Sequence, residues 1–145
     1  MYDNKMFMNS KIVAQMVKEA LLKKDNSSRV LHAAAVVYKG RIISIATNGH
    51  KSHPIQKLYG RNRSDSPNGG ERSPCACHNT KAIYLHAEVH AMIKAYAQIS
   101  ESKFRRSSLY VIRINKESGE LMFSKPCDGC MEAIDEFGIN KIYHS

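Results

Sequence analysis

The sequence predicts a single-domain α/β protein, with three layers (α/β/α) built around a mixed sheet of about five strands. Three observations lead there. The chain has 145 residues, enough for one core and little more. Its apolar pattern reads helix, strand, strand, helix, strand, helix, strand. In the second half strands alternate with helices, which calls for parallel pairing through crossover helices, whereas a tight turn makes the first two strands an antiparallel hairpin.

The first helix is expected to be capped at Asn9-Ser10. Ile12, Val13, Met16, Val17, Ala20 and Leu21 then recur at helical spacing to about Leu22, a stripe that reads as core packing. Lys23-Lys24-Asp25-Asn26-Ser27-Ser28 ends it with cations and then loop formers. Ala33 to Tyr38 is a Val-rich strand. Lys39-Gly40 turns the chain, and Arg41 to Ala46 returns as its hairpin partner, closed by Thr47-Asn48-Gly49.

From His50 to about Thr80 the pattern breaks. The stretch is dense in Gly, Pro, Ser, Asn and Arg and has no apolar period. A loop this long inside one domain is functional or disordered as a rule, and its place between a strand end and the next helix favours function. From Leu85 the helical period resumes through Ala87, Met92, Ile93, Ala95, Tyr96 and Ile99, ending near Ser100. Ser102 to Ser108 reads as a basic loop. Leu109 to Ile114 is a strand, Asn115 to Gly119 a turn, and Glu120 to Ser124 a short return. Cys127 to Phe137 is a helix stopped by Gly138, and Ile139 to His144 is the last strand.

Composition bounds the partners. The hydrophobic fraction of 43% is that of a globular protein. No run of about 18 apolar residues is present, so no membrane span is expected. The first residues lack a charged-then-apolar leader pattern, which makes a cytoplasmic location the default expectation. The 22 Lys and Arg against 13 Asp and Glu leave a net charge of +9, which favours a nucleotide phosphate or a nucleic acid as partner. These cations are scattered without a long run, so a well-solvated basic surface also accounts for them.

The four cysteines, Cys75, Cys77, Cys127 and Cys130, are closely spaced pairs. In a reducing compartment such pairs are metal ligands or redox groups before they are disulfides. A redox role for Cys127-Asp-Gly-Cys130 would leave His86-Ala-Glu88 without a part to play. A catalytic zinc needs three protein ligands and one position open to water, and His86 with Cys127 and Cys130 supplies such a set. His86 falls at one helix start and the two cysteines at another. Residues three apart in a first helical turn face the same way, and a helix N-terminus favours thiolates. Pro126 suits the residue before such a start.

Zn²⁺ with two thiolates and a neutral imidazole sums to zero charge, so the site acidifies its water less than three neutral ligands would. A base is then useful, and Glu88 is placed to supply general acid–base catalysis. His90, one turn after His86, is a competing ligand, but the H-E-x-x-H order of helical zinc pairs is absent. Cys75-Ala-Cys77-His78, joined by His50 or His53, could form a second, structural zinc site; the alternative is a loop with free thiols.

His86-Ala-Glu88, Ser124-Lys-Pro-Cys127-Asp-Gly-Cys130 and Asn48-Gly49 together make the chain resemble the cytidine/deoxycytidylate deaminase superfamily over nearly its whole length. His-Ala-Glu in place of Cys-Ala-Glu looks more like the deoxycytidylate, nucleic-acid and riboflavin-pathway branches than the free-cytidine branch. Asn48-Gly-His-Lys-Ser-His-Pro54 looks like a variant found in small phage and bacterial deaminases, and it lacks the Gly-Pro-rich continuation of familiar deoxycytidylate deaminases. The resemblance implies a zinc hydrolase acting on a cytosine-bearing nucleotide or nucleoside, with release of ammonia, and a homo-oligomer.

It also implies that Asn48 hydrogen-bonds the sugar and that the Ala87 amide and Ser124 carbonyl contact the base. Lys51 and His53, with Arg61 and Arg63, are candidates to meet a phosphate. Two other readings stand beside this one. The first is a polynucleotide deaminase acting on adenosine in RNA or cytosine in single-stranded DNA, although aromatic stacking platforms are few. The second is a non-catalytic zinc-stabilised binding module, which would have no use for Glu88.

Overall fold

The computed structural model describes residues 9–22, 30–48, 54 and 86–145. In chain order these form α1 (Ser10–Leu22), β1 (Val30–Tyr38), β2 (Arg41–Thr47), α2 (Ala87–Tyr96), α3 (Glu101–Arg105), β3 (Ser108–Asn115), β4 (Leu121–Met122), α4 (Asp128–Phe137) and β5 (Lys141–His144). The five strands make one mixed sheet in the order β2-β1-β3-β4, with β5 also paired to β3. β1 runs antiparallel to β2 and to β3, whereas β3 and β5 are parallel and bridged by α4.

The period-2 alternation of β1 divides the core. Leu31, Ala33, Ala35 and Val37 join Tyr110, Ile112 and Ile114 of β3 under α1, through Ile12, Met16 and Ala20. Ala34 and Val36 face the other way, with Leu109 and Val111, against Ala87, Val89 and Met92 of α2 and Cys130, Ala133 and Ile134 of α4. Of the three central alanines of β1, only Ala34 faces α2, whereas Ala33 and Ala35 face α1. Ser44 Oγ donates to the Ala91 carbonyl at 2.7 Å and Lys94 Nζ to the Ile45 carbonyl at 2.6 Å, so α2 is also tied to β2 by polar bonds.

Local chemistry sets the ends. Asn9 Oδ1 accepts from the Lys11 and Ile12 amides at 2.9 and 3.4 Å and so caps α1. Lys39 and Gly40 both have positive φ, 50° and 76°, which the two-residue hairpin turn requires. The expected basic loop at Ser102–Ser108 instead begins as α3. Ser100 accepts from the Lys103 amide, Glu101 pairs with Arg105 at 2.9 Å, and Phe104 is fully buried against Tyr96 and Phe137. One apolar anchor in a five-residue helix gives no period to read. β1 starts at Val30, earlier than the expected Ala33, because its first residues pair with the far arm of β3, Val30 opposite Asn115. α2 ends at Tyr96 rather than near Ser100, and β5 starts at Lys141 rather than Ile139.

Gly138 closes α4 in the left-handed region at φ 98°, and its amide donates to the Ile134 carbonyl at 3.0 Å. A Cβ there would stand 3.2 Å from Arg105 Cγ. Gly138→Ala is expected to lower stability by about 1–2 kcal/mol, most of it from the backbone conformation, because the arginine side chain can move aside. The check is the urea midpoint at unchanged slope.

Candidate metal centre

The residues preceding α2 and α4 are His86 and Cys127, and both sit at N-cap positions with extended backbone. Neither side chain caps its own helix. A helix start without a side-chain cap forgoes about 1 kcal/mol, so these side chains have other work. They turn toward each other. His86 Nδ1 lies 3.0 Å from Cys130 Sγ and 3.7 Å from Cys127 Sγ. The ligand atoms of His86, Cys127 and Cys130 all lie within 4.8 Å of one another. A tetrahedral zinc with bonds of about 2.0 Å to nitrogen and 2.3 Å to sulfur separates the two atom types by about 3.5 Å, so the spacing and the donor set fit the ion. Nδ1 is the histidine atom that faces the sulfurs. His90 is not part of the cluster, and among the described residues no second group of this kind gathers.

Glu88 lies in the first turn of α2 and is only 7% exposed, on a helix whose other buried residues are apolar. An acid buried there needs a functional or electrostatic reason. Ala87 beside it is buried, and its amide belongs to the first helical turn, where backbone donors have no partner within the helix.

Ser124 is pinned from several sides. Its Oγ donates to the Val111 carbonyl at 2.9 Å, its amide donates to the Ser145 carbonyl at 3.0 Å, and Ser145 Oγ donates to Ser124 Oγ at 2.8 Å. The approach to Pro126 and Cys127 is thereby fixed to the middle of β3 and to the residue that follows β5.

Asn48 follows β2 and extends its ladder one step along β1. Its amide donates to the His32 carbonyl, and its Oδ1 accepts from the His32 amide, each at 3.3 Å. His32 is in turn the register partner of Arg113 on β3. By strand alternation His32 shares a face with Ala34 and Val36, and Arg113 with Leu109 and Val111. Asn48, His32 and Arg113 thus follow one another across the sheet, the last two on the face against which α2 and α4 pack.

Burial lowers the pKa of His32. Glu88 pulls it upward, Arg113 and His86 push it further down, and Cys127 pulls it up. Sequence reading passed over His32 and Arg113. The available signal was a polar residue in phase with the apolar residues of its own strand. Lys51, His53, Arg61, Arg63, Cys75, Cys77 and His78 lie outside the described residues.

A family model described as the cytidine and deoxycytidylate deaminase zinc-binding region matches residues 7–145. No curated protein matches the chain. Among solved structures the chain is similar to the dCMP deaminase of the cyanophage S-TIM5. The apo form is 25% identical, with 94% of this chain and 84% of that one covered at a TM-score of 0.49. The complex with dCMP and dUMP is 24% identical, with coverage of 94% and 82% and a TM-score of 0.49.

Proposed function

The chain belongs to the cytidine and deoxycytidylate deaminase family, and on that premise we propose that it removes the 4-amino group of a cytosine-bearing nucleotide or nucleoside. It is a zinc-dependent hydrolytic deaminase. The observation that supports the site assignment is the gathering of His86, Cys127 and Cys130 with the buried carboxylate of Glu88 two residues past the histidine.

His86 Nδ1 and the sulfurs of Cys127 and Cys130 are the groups that would hold the ion. Zinc bound there supplies Lewis acidity and makes water more acidic than it is in bulk. Glu88 moves the protons. Its carboxylate accepts one from the attacking water and gives it to ring N3 as the oxygen bonds to C4. It then transfers the second proton to the amine as the C4–N bond breaks. A uracil base and ammonia leave. The Ala87 amide donates to the base, and the Ser124 carbonyl accepts from the amino group. Asn48 uses its amide nitrogen on the sugar, because its oxygen already serves His32.

Ammonia release from cytidine, deoxycytidine, their monophosphates, adenine and guanine compounds and a single-stranded oligonucleotide tests the reading. Turnover of a cytosine nucleotide or nucleoside is expected. Activity on the oligonucleotide with none on any mononucleotide would replace it with a polynucleotide deaminase, the reading that the net charge of +9 favours.

A further inference from the structure

Arg113, the last residue of the row Asn48–His32–Arg113, carries a buried donor with no partner among the described residues. Arg113 lies between apolar strand residues, and its Nε is buried without a hydrogen-bond partner among the described residues. No described carboxylate pairs with it; the ion pair seen elsewhere, Arg105 with Glu101, lies on exposed α3. An arginine that served only packing would be expected to lay its stem on the core and turn its donors to water. Here the donor nearest the sheet is shut away from water, on the face that carries the metal-binding helices.

Its surroundings define what it can bind. On one side its strand neighbour is His32, whose ring also feels Glu88 and the ligands His86 and Cys127. On the other side its register partner is Met122 of β4, two residues before the pinned Ser124. His32 itself is fixed by both backbone bonds to Asn48. The cation therefore follows Asn48 and His32 across the sheet, with His32 as its cross-strand neighbour. Adjacent strands are about 4.8 Å apart, so the row spans roughly 10 Å from Asn48 to Arg113, the size of a nucleoside.

We propose that Arg113, framed by His32, is a substrate-binding residue of this deaminase, donating through Nε–H to an oxygen acceptor of the substrate. The proposal rests on the cytosine reading above. A cytosine nucleotide carries two acceptors of this chemistry, a phosphate oxygen and the ring carbonyl O2, and comparing nucleotide with nucleoside separates them. His32 is the cross-strand neighbour that lies between Asn48 and Arg113.

The test measures binding in zinc-loaded Glu88→Gln protein, so that turnover does not consume the ligand. Dissociation constants for dCMP and deoxycytidine are determined with Arg113 intact and in Arg113→Gln, with zinc content and melting temperature as controls. Loss of a hydrogen bond to a charged group predicts about 10–100-fold weaker binding. Weakening confined to dCMP assigns the contact to phosphate, and equal weakening of both ligands assigns it to O2; each supports the proposal. If Arg113→Gln does not fold, the Nε–H resonance of ¹⁵N-arginine in the protein with Arg113 intact serves instead, and it must shift on ligand addition. Constants within twofold of each other, or a resonance that does not move, overturn the proposal and leave the cytosine reading standing. If neither ligand binds with Arg113 intact, the cytosine reading fails and this inference falls with it.

Discussion

Glu88→Gln is expected to take up zinc as fully as the parent and to lose about 10²–10⁴-fold in turnover. That range is about 2.7–5.5 kcal/mol of transition-state stabilisation. The substitution keeps the shape of a side chain that is 7% exposed in the first turn of α2, so packing against the sheet is retained. It removes the carboxylate's ability to accept and return a proton. Glu88 is outside the cluster of ligand atoms formed by His86, Cys127 and Cys130, so metal content has no reason to change. Stability is expected to hold or to rise slightly, because a buried charge is exchanged for a neutral amide. Ammonia release and metal analysis on the same preparation check both halves.

The second large effect is expected at the candidate metal ligands. Cys127→Ser should lose the ion, and with it activity and part of the folded-state stability. A serine hydroxyl is a poor zinc ligand at neutral pH, and outer-shell changes alone cost such centres about 10–100-fold in affinity, so losing a ligand costs more. A metal present at about 1,000 times its dissociation constant adds about 4 kcal/mol to apparent stability, and that contribution disappears with the site. Cys127 is the better choice for this test because it is only partly buried, whereas Cys130 lies fully inside the core against α2. Cys130→Ser would add a buried hydroxyl to the loss of the ligand and mix two causes. The expected signature is a lower melting temperature for Cys127→Ser that no longer responds to a chelator, while the parent falls toward it when stripped of metal.

The gathering of His86, Cys127 and Cys130 was legible because its pieces are local. A histidine with a glutamate two residues later, and two cysteines three apart behind a proline, each occupy a single helical turn. Helix starts are among the features that pattern shows well. The mixed sheet was legible for the same reason, since the hairpin turn at Lys39-Gly40 and the crossover through α4 are each short stretches of chain. His32 and Arg113 were not legible together. They are 81 positions apart, and only the β1–β3 register makes them neighbours. A one-residue shift in that register would send one of them to the α1 face. Helix α3 escaped because its stabilising features, the Ser100 cap, the Glu101–Arg105 pair and Phe104, do not repeat.

Asn48 shows a subtler limit. Its place at the end of β2 follows from the sequence. That its side-chain oxygen is committed to the His32 amide follows only from the fold, and this leaves its nitrogen as the end assigned to a sugar.

The central claim is that His86, Cys127 and Cys130 hold the ion on which hydrolytic deamination depends and that Glu88 carries the protons. It is tested most directly by ammonia release from a cytosine nucleotide, measured against zinc content for the parent and for Glu88→Gln. Activity of the parent should rise with zinc and vanish in metal-stripped protein, while Glu88→Gln stays near the baseline at equal zinc. Undiminished ammonia release from stripped protein, or parent-like activity in Glu88→Gln, would contradict it.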